Sequence, residues 1–88
     1  MVKGIASREK RYVKVMSVTD EDGRITPVSV EWDDGRVYEI DRVLDVRHAA
    51  SLKVGGTGIR YLVRIGHATT YLFHEDPRWY VEAKVPGM

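Results

Sequence analysis

Apolar residues recur at every second position along five stretches of this 88-residue chain, with Gly, Asp or Pro between them. A period of two marks a strand with one buried face. Short runs of this kind, joined by tight turns, leave room for little but an antiparallel β fold. The clearest is Ile59 to Ile65, where Ile59, Tyr61, Val63 and Ile65 share one face and Arg60, Leu62 and Arg64 the other. Ile25 to Trp32 repeats the pattern with Val28, Val30 and Trp32. Pro27 cannot donate to a ladder, so the start of that strand lies at an edge or a bulge.

The remaining strands follow from the same period. Lys10 to Thr19 is rich in β-branched and aromatic residues and is broken by Asp20-Glu21-Asp22-Gly23. Asp33-Asp34-Gly35 is a hairpin signal leading into a third strand from Arg36. Val43 is out of phase with Ile40 while Leu44 and Val46 are in phase, which predicts a bulge or bend near Asp41-Arg42. A helix from Asp41 to Leu52 is the competing reading, disfavoured by its β-branched valines. Thr69 to Glu75 and Arg78 to Val85 complete six strands, with Asp76-Pro77 between them and Pro providing the first corner of the turn. The expected fold is all-β: a small antiparallel barrel or half-barrel, SH3-like in first place and OB-like in second, with at most one short helix. Residues 1–9 show no period and read as a flexible arm; residues 10–85 form the single β domain.

Composition narrows the function classes. There is no cysteine, which excludes disulfides, thiol chemistry and Cys-based zinc sites. No apolar run is long enough to span a membrane or to form a signal-peptide core, and a cytoplasmic protein is expected. The formal net charge of +1 gives no strong overall pull toward nucleic acid. Val54-Gly55-Gly56-Thr57-Gly58 lacks the following Lys-Ser/Thr and helix of a phosphate-binding loop. His48, His67 and His74 show no ligand spacing, although His67 and His74 could meet across a hairpin; no metal or other cofactor is expected. Asp45, His48 and Ser51 lie close in sequence without reason to converge, and the paired carboxylates fall in turns. No catalytic residue is assigned, and the chain reads as a non-enzymatic module.

The second half of the chain is richer in signal. Arg60, Arg64 and Arg78 accompany Tyr61, Tyr71, Trp79 and Tyr80, and these seven are the candidate binding residues. Arginine beside aromatic rings suits a protein interface. It also suits phosphate contact with base stacking. Interleaved acids such as Asp41, Asp45 and Glu82 favour a protein partner, with single-stranded nucleic acid as the alternative. A thin core with edge strands leaves apolar surface to hide, so a symmetric homodimer is expected.

The segments Trp32-Asp33-Asp34-Gly35-Arg36-x-Tyr38-x-Ile40, Asp45-Val46-Arg47-x-Ala49-Ala50-Ser51-Leu52, Gly58-Ile59-Arg60-Tyr61 and Tyr71-Leu72-Phe73-His74-Glu75-Asp76-x-Arg78-Trp79-Tyr80-Val81-Glu82 carry a resemblance. Together they resemble a group of short, uncharacterised bacterial proteins. The resemblance covers about two thirds of the chain and implies no activity or ligand.

Overall fold

The computed structural model describes residues 8–50 and 57–84. These form seven antiparallel strands: β1 (Arg8–Thr19), β2 (Ile25–Glu31), β3 (Val37–Glu39), β4 (Arg42–Ala50), β5 (Thr57–Ile65), β6 (Ala68–Glu75) and β7 (Arg78–Lys84). Their order is β3-β2-β1-β7-β6-β5-β4, an open half-barrel with no helix among the described residues. The arm read as residues 1–9 ends earlier than expected, because Arg8 and Glu9 already pair with Lys84 and Ala83. Residues 1–7, residues 51–56 of the glycine-rich connection and residues 85–88 lie outside the described residues.

Two stretches of chain serve both halves of the structure. The first half of β1 pairs with β7 in a large sheet (β1-β7-β6-β5-β4), and its second half pairs with β2 in a small sheet (β3-β2-β1). The single strand predicted from Arg36 is divided into β3 and β4, which is why seven strands stand where six were read. Ile40 N–H donates to the Val28 carbonyl (2.9 Å) in the small sheet, and Asp41 N–H donates to the Arg64 carbonyl (2.8 Å) in the large one. The bend therefore falls close to where the phase slip placed it, but the bulge comes later, between Val43 and Asp45. Val43 packs against the core and Leu44 is exposed, the reverse of the phase expected from Ile40. Pro27 lies where the β1–β2 register slips, and it is Val28, not Pro27, that turns outward there.

The hairpin turns obey simple chemistry. Asp20 Oδ1 accepts from the N–H groups of Asp22 and Arg24 at 2.9 and 2.8 Å, and Asp34 Oδ1 accepts from Arg36 N–H at 2.9 Å. Gly23 and Gly35 each take φ 86°, and no residue other than glycine has positive φ among the described residues. Space around Gly35 is open, so a side chain there would meet only backbone strain. Gly35→Ala is expected to cost about 1–2 kcal/mol, read as a lower urea midpoint with an unchanged slope. The β6–β7 turn differs from expectation: the Asp76–Pro77 bond is cis and Pro77 occupies the second corner, since Glu75 pairs with Arg78.

The core lies between the two sheets. Val30 of the small sheet packs with Tyr61, Val63, Leu72 and Trp79 of the large one. Val13, Val15, Ile25, Ile40, Val43, Ile59, Ile65 and Val81 pack around them. The Tyr61 hydroxyl donates to the Ile25 carbonyl at 2.7 Å and pins one sheet to the other. Burial pushes the Tyr61 pKa up, because the phenolate would lose its hydration.

Candidate binding face on the large sheet

Strand alternation sends the seven candidate residues to opposite sides of the large sheet. Tyr61 and Trp79 are 2% and 7% exposed and belong to the core, so neither can present a ring to a partner. Their ring centroids lie 5.4 Å apart, and His74 stacks on Trp79 at 4.1 Å from inside. The cause is the period of two already visible in the chain: Tyr61 shares its face with Ile59, Val63 and Ile65, and Trp79 with Val81.

Arg60, Arg64, Tyr71, Arg78 and Tyr80 occupy the outer face. Register aligns five residues directly across it: Arg47 opposite Arg60, Arg60 opposite Phe73, Phe73 opposite Tyr80, and Tyr80 opposite Tyr12. At the usual strand spacing this row is about 19 Å long. Phe73 and Tyr80 stack with planes 5° apart and centroids at 4.9 Å. Tyr12 meets Tyr80 edge-on at 5.7 Å, and Tyr71 lies 6.4 Å from Phe73. Three cations cap these rings: Arg60 over Tyr71 (4.6 Å), Lys10 over Tyr80 (4.7 Å) and Arg78 over Tyr12 (4.1 Å). Tyr12, Phe73, Lys10 and Arg47 belong to this face beside the candidates. Only the pairing of distant strands assembles them, and no local pattern announces it.

Charge on this face is uneven. Among the residues whose side chains are described, Lys10, Arg42, Arg47, Arg60, Arg64 and Arg78 stand against Asp45, Glu75 and Glu82, a net charge of +3. Arg47 donates to Asp45 at 2.8 Å, a bond that holds the Asp45 carboxyl below its ordinary range and raises the Arg47 pKa. Lys10 reaches Glu75 at 3.5 Å. Among the described residues no carboxylate forms an ion pair with Arg42, Arg60, Arg64 or Arg78. Arg42 lies directly opposite Arg64, and Arg47 directly opposite Arg60. Like charges in direct cross-strand opposition cost stability. The acids that balance the chain sit elsewhere, in the β1–β2 and β2–β3 turns of the small sheet.

The histidines do not converge. His67 lies in the exposed β5–β6 turn and His74 is buried at the far end of β6, so the pair considered across that hairpin does not form. No group of three metal-ligating side chains occurs among the described residues. Nor is any helix there long and apolar enough to cross a membrane. No family model, curated protein or solved structure matches the chain.

Proposed function

We propose that the outer face of the large sheet binds single-stranded nucleic acid. The observation that carries this reading is the pair of opposed arginine couples, Arg42–Arg64 and Arg47–Arg60, beside a row of aromatic rings. An anion lying between Arg42 and Arg64 relieves their repulsion, Asp45 already offsets the Arg47–Arg60 couple, and a polyanion meets Arg42, Arg60 and Arg64 together. Arg60 and Arg64 are four residues apart on β5, about 13 Å along the strand, so a backbone carrying several phosphates fits better than one small anion. Tyr71 and Tyr12, 44% and 40% exposed, stand at the margins of the row with Arg60 and Arg78 stacked over them, and these guanidinium planes offer stacking surfaces for bases. The net charge of the whole chain argued for a protein partner, but it averages a basic face with acidic turns on the other sheet.

Titration of labelled single-stranded RNA and DNA across a salt series tests this. With Arg42, Arg60 and Arg64 each meeting a phosphate, the slope of log K against log salt is expected near −2, at about −0.7 per contact. Arg60→Ala with Arg64→Ala is expected to flatten it by about 1.4 and to weaken all sequences alike. Absence of binding at tens of micromolar in low salt, or an unchanged slope in the double variant, overturns the reading.

A protein partner, or a second copy of the chain, is the other reading, and a different surface favours it. Met16, Val37 and Val18 are 67%, 59% and 57% exposed on the outer face of the small sheet. Such a patch suits association, and if it is the working surface, oligonucleotides do not bind. Within the half-barrel class we retain SH3-like over OB-like as a proposal. OB barrels are five-stranded Greek keys, whereas here two runs of sequential hairpins are joined by the β1–β7 pair.

A further inference from the structure

The two sheets part at one end of the half-barrel. Inward positions of β1 are apolar at Val13 and Val15 but polar at Glu9 and Arg11, which pair with each other at 3.4 Å. The Arg11 guanidinium lies over Trp32, 5.9 Å from its ring centre, and reaches Asp33 at 3.5 Å. Beyond Val13, β1 leaves β7 for β2, so the small sheet does not cover the inner face of the large one at this end. A cleft of about 600 Å³ remains. Trp32 and Tyr38 wall it from the small sheet, and Ile65, Leu72 and Val81 wall it from the large sheet.

We infer that this cleft is a binding site for an uncharged, ring-bearing apolar small molecule. Its volume falls within the range of ligand pockets, which are mostly apolar, and the mouth of a barrel is a usual place for one. Two aromatic rings facing branched aliphatic side chains suit a flat apolar guest. Charge sets the class further. Among the described residues no lysine or arginine lines the cleft, and Glu82 at the rim is the one carboxylate-bearing residue there. Arg11, near Trp32, is already engaged by Glu9 and Asp33. An anionic guest would meet no counter-charge among these residues, since the Glu82 side chain belongs to the outer face and Arg11 is engaged, so carboxylates, phosphates and sulfonates are disfavoured. The inference is independent of the nucleic-acid reading, because the cleft faces inward from the opposite side of the large sheet.

N-phenyl-1-naphthylamine, a neutral probe that brightens in apolar surroundings, tests the site. Saturable binding in the low micromolar range is expected, accompanied by energy transfer from tryptophan that falls in Trp32→Phe. 8-Anilinonaphthalene-1-sulfonate, the same ring system with an anionic group, is expected to bind at least tenfold more weakly in about 0.5 M salt, which screens the outer face. Ala68 lines the cleft on the inward side of β6 and is exposed at its mouth. Ala68→Trp is expected to lower probe affinity at least tenfold with an unchanged circular-dichroism spectrum. Thr70→Phe fills the same space should the first variant fail to fold. The double variant of Arg60 and Arg64 is expected to bind the probe as the wild type does, separating this test from the nucleic-acid one. No saturable binding by 50 µM probe, or equal binding in the folded cleft-filling variants, overturns the inference. So does a wild type that ignores the probe but sediments as a dimer dissociated by Ala68→Trp, since the occupant is then a second copy.

Discussion

Leu72→Ala is expected to bring this protein to the edge of unfolding at 37 °C. Leu72 is 1% exposed and sits on the inner face of β6 among Val30, Tyr61, Val63 and Trp79. Truncating such a leucine costs about 2–5 kcal/mol, from lost transfer energy and the cavity left behind. A chain of this length has a total stability of about 4–13 kcal/mol. The core has five buried apolar residues among those described, and no second cluster takes over when one is removed. Met16→Ala on the outer face of the small sheet is the matched control and is expected to change stability by less than about 0.5 kcal/mol. Urea unfolding of both variants checks this. A Leu72→Ala midpoint close to wild type would mean that the inner face is not the core.

The second large effect separates stability from binding. Arg64→Glu places a carboxylate directly opposite Arg42, turning a repulsive couple into an attractive one. Both residues are exposed, so the gain is expected to be small, about 0.5 kcal/mol. Nucleic-acid affinity is expected to fall about 25-fold at 0.1 M salt. That figure follows from two units of charge at a slope of about 0.7 each over the decade below 1 M. The variant therefore melts higher and binds worse, an outcome that a merely solvated arginine would not produce. Paired denaturation and anisotropy measurements check it, and a variant that binds like the wild type would remove Arg64 from the face.

Much of the fold was legible because each strand carries its own phase. Ile59 to Ile65 alternates cleanly, and Asp-Gly marks both small-sheet turns. The same phase placed Tyr61 and Trp79 among inward residues. Their ring type suits an interface, but their position in the alternation puts them inside. What local pattern could not supply was the neighbour of each strand. Tyr12 and Tyr80 lie far apart in the chain and side by side in the sheet, as do Arg47 and Arg60 across the glycine-rich connection. The Val43–Asp45 bulge was displaced for a related reason. A phase slip shows that one residue is extra, but the partner strand decides which residue is squeezed out. Charge segregation was hidden in the same way, since a sum over the chain carries no direction.

The pairing of β1 with β7 also bears on how the molecule is made. Val13 lies opposite Trp79, sixty-six positions later in the chain. At synthesis rates of about 5–20 residues per second, the first half of β1 waits roughly 3–13 s on the ribosome for its partner. During that interval the β1–β2–β3 unit can form by local hairpins, but the edge of β1 that will receive β7 stays bare. Lys10 and Arg11 stand on that edge. Charged side chains there discourage pairing with other nascent chains until β7 arrives.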